Sequence, residues 1–193
     1  MKKLQLCTLA LLTASALHLT GCSNIVGATT DKPIEPDNAS RSYGAAIDDE
    51  VIETTALVNI RKTHPALANA HLVVVSYNGV LLLAGQVPSE ETRQLAGQAA
   101  SHVQNVKRVH NELSVGANTE LLIRTSDSGI TTKIKSKLLT HKEGKSGKVK
   151  VVTENGVVYL MGVVTRSQAD LASVLAQQTG GVQRVVRLFE YVD

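Results

Sequence analysis

Tyr77-Asn78-Gly79-Val80-Leu81-Leu82-Leu83-Ala84-Gly85-Gln86-Val87 returns 77 residues later as Glu154-Asn155-Gly156-Val157-Val158-Tyr159-Leu160-Met161-Gly162-Val163-Val164. In both copies an Asn-Gly pair separates two β-rich apolar runs. That pair is the strongest short hairpin signal, because both central residues of the tight turn need positive φ. The pairs Asn78-Gly79 and Asn155-Gly156 therefore read as structural turns. Gly85 and Gly162 lie at matching points of the following strands, where a side chain would crowd a close backbone approach. Outward from this segment, Thr54-Thr55-Ala56-Leu57 aligns with Thr131-Thr132-Lys133-Ile134, and Val106-Lys107-Arg108-Val109 with Val182-Gln183-Arg184-Val185 after a one-residue slip. The chain is thus expected to hold two copies of one unit.

Periodicity gives both units the same order of elements. In the first, Asp48 or Asp49 caps a helix running to about Lys62, which His64-Pro65 stops. Strands Leu72 to Val75 and Val80 to Ala84 flank the turn. A helix opened by Ser89 and Thr92 follows, and a last strand covers Arg108 to Val115. The second unit runs as helix Ser128 to Thr140, strands Val149 to Thr153 and Val157 to Val164, helix Arg166 to Thr179 and strand Val182 to Tyr191. The predicted class is α+β, an α/β sandwich of two tandem αββαβ units, each a three-stranded mixed sheet packed on two helices. Units of about 65 residues bury a modest share of their surface, so the two are expected to pack on each other.

The first residues have a different character. Lys2 and Lys3 precede an apolar stretch from Leu4 to Leu19, which fits an export signal and is too short for a membrane span. It ends in Leu19-Thr20-Gly21-Cys22, which resembles the lipobox of bacterial lipoproteins and makes Cys22 the expected lipid-attachment site. Ser23 in place of Asp implies, by resemblance to enterobacterial sorting, the outer membrane. The expected organisation is a signal at 1–21, a lipidated tether at 22–46 broken by Pro33 and Pro36, a first folded unit at 47–115, a linker at 116–126 and a second unit at 127–193.

The cysteines are Cys7 and Cys22, so loss of the signal leaves only the lipidated one, without a disulfide framework or a thiol nucleophile. Without the signal the chain has 18 basic and 17 acidic residues, a net of +1. The distribution is uneven. Residues 23–53 hold two basic and seven acidic residues, a net of −5, and residues 126–150 hold seven basic and two acidic, a net of +5.

The Asn-Gly hairpins, the strands ending in a small residue plus glycine, the Ser/Thr-started helices and the final Val-rich strands resemble BON domains over residues 47 to 191. With the lipobox, this organisation resembles dual-BON-domain outer-membrane lipoproteins, and Ile130-Thr131-Thr132-Lys133 and Val152-Thr153-Glu154-Asn155-Gly156 lie close to that pattern. The resemblance implies a role in outer-membrane integrity. It also implies that the first helix of the second domain, here Ser128 to Thr140, contacts phospholipid. Relatives can place an aromatic residue just before the Ile-Thr-Thr run, where this chain has Gly129, and the chain has no Trp.

Other functions find little support. His64, His71, His102, His110 and His141 fall in different expected elements without metal-ligand spacing, so neither a metal nor another cofactor is expected. Glu90-Glu91 sits in a first helical turn, where the helix dipole explains it, and no nucleophile or base partners it. Neither an enzyme nor a nucleic-acid binder is expected, since the few aromatics form no stacking platform. On a helical wheel at about 100° per residue, Ile130 at 0°, Ile134 at about 40° and Leu138 at about 80° form the stripe that packs inward. Leu139 then falls at about 180°, beside Thr132 and Ser136, with Lys135 and Lys133 flanking that outward face. An exposed leucine bordered by lysines suits an anionic bilayer, such as one holding phosphatidylglycerol or cardiolipin, and each lysine there contributes about 1 kcal/mol. The candidate lipid-binding residues are Gly129, Thr132, Lys133, Lys135, Ser136 and Leu139. The rival reading is an adaptor that docks on an outer-membrane assembly or cell-division protein.

Overall fold

The computed structural model describes residues 41–118, 120–141 and 148–193, without the side chain of Tyr43. The expected signal, Cys22 and nearly all of the expected tether lie outside the described residues, as do Lys142 and Lys145 of the basic stretch. The first unit consists of α1 (Tyr43–Thr63), a single turn α2 (Pro65–Ala68), β1 (His71–Tyr77), β2 (Val80–Val87), α3 (Glu90–Ser101), β3 (Arg108–Asn111) and β4 (Ser114–Val115). The second consists of α4 (Leu121–Thr140), β5 (Val149–Glu154), β6 (Val157–Val164), α5 (Arg166–Gln177) and β7 (Arg184–Tyr191). Each β-hairpin is antiparallel, and each last strand pairs in parallel with the central strand, so both sheets are mixed.

Three boundaries in particular differ from the sequence reading. The first helix begins at Tyr43, where the Ser42 hydroxyl accepts from the Ala45 amide at 3.1 Å, so Asp48 and Asp49 lie inside the helix. The second unit's first helix begins at Leu121, which makes half of the expected 116–126 linker helical. The first unit's last strand breaks at Glu112-Leu113, where Leu113 turns into the core, and resumes as β4 beside β2. That sheet therefore has four strands and the other three. The two first helices correspond at an offset of 78 residues, because buried Ile52, Ala56 and Ile60 match buried Ile130, Ile134 and Leu138. With the hairpins 77 residues apart, the first unit thus has one residue more than the second between its first helix and its hairpin.

The central strands explain why β2 and β6 read as unbroken apolar runs. Leu81, Leu83 and Val87 of β2 face α1 and α3, joining Ile52, Ile60 and Ala96 in one core. Val80, Leu82 and Ala84 face the other way and meet Tyr159, Met161 and Val163 of β6 and Leu188 of β7. Val158 and Leu160 face α4 and α5. Two sheets packed face to face with helices outside both make a four-layer α/β/β/α sandwich, in which a central strand is covered on both faces. Burial pushes the Tyr159 phenol in this shared core up to about 12.

One clamp recurs at both hairpins. Asn78 and Gly79 have φ of 54° and 79°, and Asn155 and Gly156 have φ of 50° and 71°. The Asp49 carboxylate of α1 accepts from the Asn78 amide at 2.8 Å, the Gly79 amide at 2.9 Å and the Ser76 hydroxyl at 2.6 Å, and pairs with Arg41 at 2.7 Å. Asp127 of α4 accepts from the Asn155 amide at 2.7 Å and the Gly156 amide at 2.9 Å. A carboxylate in the first helix therefore satisfies the turn amides in both units. Burial raises the Asp49 carboxyl, but the hydrogen bonds from Ser76, Gly79, Asn78 and Arg41 outweigh it and hold the carboxyl below its ordinary value.

Gly85 has φ of +114°, and a Cβ there would stand 2.0 Å from the His71 carbonyl oxygen. A Cβ at Gly162 would meet the Lys148 carbonyl oxygen at 2.2 Å. Gly85→Val is expected to cost on the order of 3 kcal/mol, about 10 °C in Tm for a fold of this size, measured by thermal unfolding. Gly129 lies in an exposed helical stretch with no atom near an added Cβ, so Gly129→Ala is expected to gain about 0.5–1 kcal/mol in the same measurement. A depressed carboxyl lends stability that is present above its unfolded pKa of about 3.9 and is lost as pH falls through the lower folded value. Acid-unfolding curves of wild type and Asp49→Asn are therefore expected to stand apart at neutral pH and to converge below about pH 3.

Candidate functional site

The candidate surface is the outer side of α4. Ile130, Ile134 and Leu138 are buried against β5, β6 and α5, and this fixes the rotation of the helix. Gly129, Thr132, Lys133, Lys135, Ser136 and Leu139 are all exposed, with Leu139 at 68%. The structure thus brings all six sequence-predicted residues onto one helix and leaves all six open to solvent.

The lysines divide by role. The Lys137 ammonium donates to the Gln178 carbonyl and the Thr179 hydroxyl, both at 2.9 Å, where it compensates the C-terminal end of α5. Lys150 pairs with Glu53 of the first unit at 3.0 Å. Lys133 and Lys135 are exposed and make neither hydrogen bond nor ion pair with another described residue. Three hydroxyls ahead of them turn back on the helix: Thr125 donates to the Leu121 carbonyl at 3.0 Å, Ser128 to the Arg124 carbonyl at 3.0 Å and Thr132 to the Ser128 carbonyl at 2.9 Å. Such bonds to the carbonyl four residues back satisfy the hydroxyl donors within the helix.

The helix also carries apolar residues that the sequence reading assigned to a linker. Leu121 and Leu122 are 77% and 79% exposed in the first turn. The signal for them is present in the sequence, since carrying the wheel back past Ser128 puts Leu121 on the same line as Leu139. What hid it is the polar run Gly116-Ala117-Asn118-Thr119-Glu120 before it, in which Glu120 occupies the N-cap without a side-chain bond.

The histidines serve the fold. His64 accepts from the Ala66 amide at 3.1 Å and caps α2, His71 meets Glu154 at 3.1 Å, and His102 meets the Gln98 carbonyl at 2.7 Å. Burial, with Arg108 nearby, lowers the His110 imidazole. Among the described residues, no group of three His, Cys, Asp or Glu side chains could hold a metal ion, and no helix is long and apolar enough to cross a membrane. A cavity of about 490 Å³ lies at the first hairpin, lined among others by Asp48, Asn78, Asn105 and Lys107.

The BON domain family matches residues 48–117 and again 126–193. The chain is similar to the outer membrane lipoprotein DolP of Haemophilus influenzae, 36% identical over 96% of each chain. It is 38% identical to the 21 kDa hemolysin of Actinobacillus pleuropneumoniae, over 84% of this chain and 81% of that one. Osmotically-inducible protein Y of Escherichia coli is 31% identical over 77% of this chain and 75% of its own. The chain belongs to the BON-domain family and carries two copies of the domain in tandem.

Proposed function

We propose that this protein is a non-enzymatic outer-membrane lipoprotein, anchored through lipid on Cys22, that binds anionic phospholipid through the outer face of α4 and supports outer-membrane integrity. The observation that carries the reading is Leu139, 68% exposed on the same helix as Lys133 and Lys135, two exposed lysines without a partner among the described residues. The relative named an outer membrane lipoprotein supports the address. Acyl chains at Cys22 suffice for stable anchoring, because about two such signals hold a protein on a bilayer. The helix is then needed for selectivity. Two lysines near an anionic surface supply about 1 kcal/mol each, a bias toward phosphatidylglycerol or cardiolipin over neutral lipid.

Vesicle sedimentation with residues 23–193 tests this. Binding to phosphatidylglycerol vesicles is expected to exceed binding to neutral ones, and Lys133→Glu with Leu139→Glu is expected to weaken it by roughly 30-fold or more. Equal binding to both vesicle types, or an unaffected double variant, rejects the proposal. Because space at Gly129 is open, Gly129→Trp is expected to tighten binding by supplying an interfacial aromatic.

A further inference from the structure

We infer that α4 lies flat on the bilayer, its axis parallel to the membrane plane, held by leucines at both ends: Leu139 at one and Leu121 with Leu122 at the other. This rests on the lipid-binding reading above and specifies its geometry. Leu121 and Leu139 are 18 residues apart, five full turns at about 3.6 residues per turn, so both project along one line of the helix. At about 1.5 Å per residue that line is about 27 Å long. Thr125, Ser128 and Thr132 lie along or near it and bond back to helix carbonyls. Contact with the headgroup layer then leaves no hydroxyl donor of theirs unsatisfied, which removes the usual cost of drying a polar face.

Charge complementarity names the occupant. Lys133 and Lys135 flank the line without a partner among the described residues, and the terminal leucines are 77%, 79% and 68% exposed. Apolar ends, a middle in which Thr125, Ser128 and Thr132 are satisfied, and ammonium flanks are what an interfacial helix presents to an anionic bilayer. A single leucine at Leu139 would fix one point and let the helix pivot about it. A second apolar point five turns away fixes the axis. It also supplies, at the end of the helix, apolar area that the aromatic-free position at Gly129 does not.

The chain contains no Trp, so a single introduced Trp is a clean reporter. Residues 23–193 include both units with their shared core. Leu121→Trp, Leu139→Trp and Thr54→Trp would be made separately, the last on α1 across the sandwich, and titrated with phosphatidylglycerol vesicles carrying brominated acyl chains. Leu121→Trp and Leu139→Trp emission is expected to shift to the blue and to be quenched alike, with Thr54→Trp unchanged. Leu121→Ser with Leu122→Ser, at exposed positions where the fold is not at risk, is expected to weaken vesicle binding about tenfold. A blue shift at Leu139→Trp alone, equal binding by the double serine variant, or a shift at all three positions overturns the flat orientation. No shift at any position overturns the lipid-binding reading itself.

Discussion

The packing of one sheet on the other is the constraint from which the remaining surfaces follow. Val80, Leu82 and Ala84 can be buried only because Tyr159, Met161 and Val163 close over them. Each small unit would otherwise expose half of its central strand. The rim of the contact is polar and specific. Glu154, itself nearly buried, accepts from Gln86 at 2.9 Å and meets His71 at 3.1 Å, while Asn78 donates to Glu190 at 2.6 Å and Lys150 reaches Glu53 at 3.0 Å. A carboxylate at such a site costs free energy unless its oxygens are partnered, so these bonds restrict the register in which the sheets can meet. With both inner faces consumed, the outer sides of the helices are the broad faces each unit keeps for contact with anything else.

The Asp49 and Asp127 clamps tie those helices to the sheets. In an isolated hairpin the two amides of an Asn-Gly turn face water. Here a carboxylate from the preceding helix takes both, which fixes the helix along its own axis as well as in rotation. Rotation of α4 is what decides which side chains are outward. A shift of one residue would turn Leu139 by about 100° and carry Lys135 out of its flanking position.

The repeat, the αββαβ order, the hairpins and the inward stripe of α4 were legible because they rest on local signals: Asn-Gly chemistry, capping residues and apolar periodicity. The capping boxes at Ser89 with Thr92 and Thr165 with Gln168 are examples. The clamps were not legible, since Asp49 reads as a helix start when viewed beside Asp48 and Glu50, and only its contact with a turn 29 residues onward reveals its role. The break at Glu112-Leu113 escaped for a related reason, a bulge having no composition of its own. The outward leucine at Leu139 followed from the wheel. Leu121 and Leu122 did not, because the N-cap Glu120 makes no side-chain bond and the polar run before it reads as a linker, although the wheel carried back would place Leu121 in line with Leu139.

Duplication supplies an internal comparison for the candidate site. With the offset of 78 given by the buried faces, Lys133, Lys135, Ser136 and Leu139 correspond to Thr55, Leu57, Val58 and Arg61 of α1. The inward stripes have stayed alike, both apolar, while the outward sides have diverged: α1 shows Ile47, Val51 and Val58 beside Asp48 and Glu50 and presents no lysine at the two flanking positions. Folding requirements act equally on both helices, since both cover the same kind of sheet with the same kind of clamp. They account for what the copies share and leave the difference unexplained. On α4 the exposed Leu139 lies near Lys133 and Lys135, which have no partner among the described residues, while the neighbouring Lys137 is bonded into the fold. The copies therefore differ where the fold does not constrain them, and the charge on α4 is of the sign that an anionic bilayer attracts.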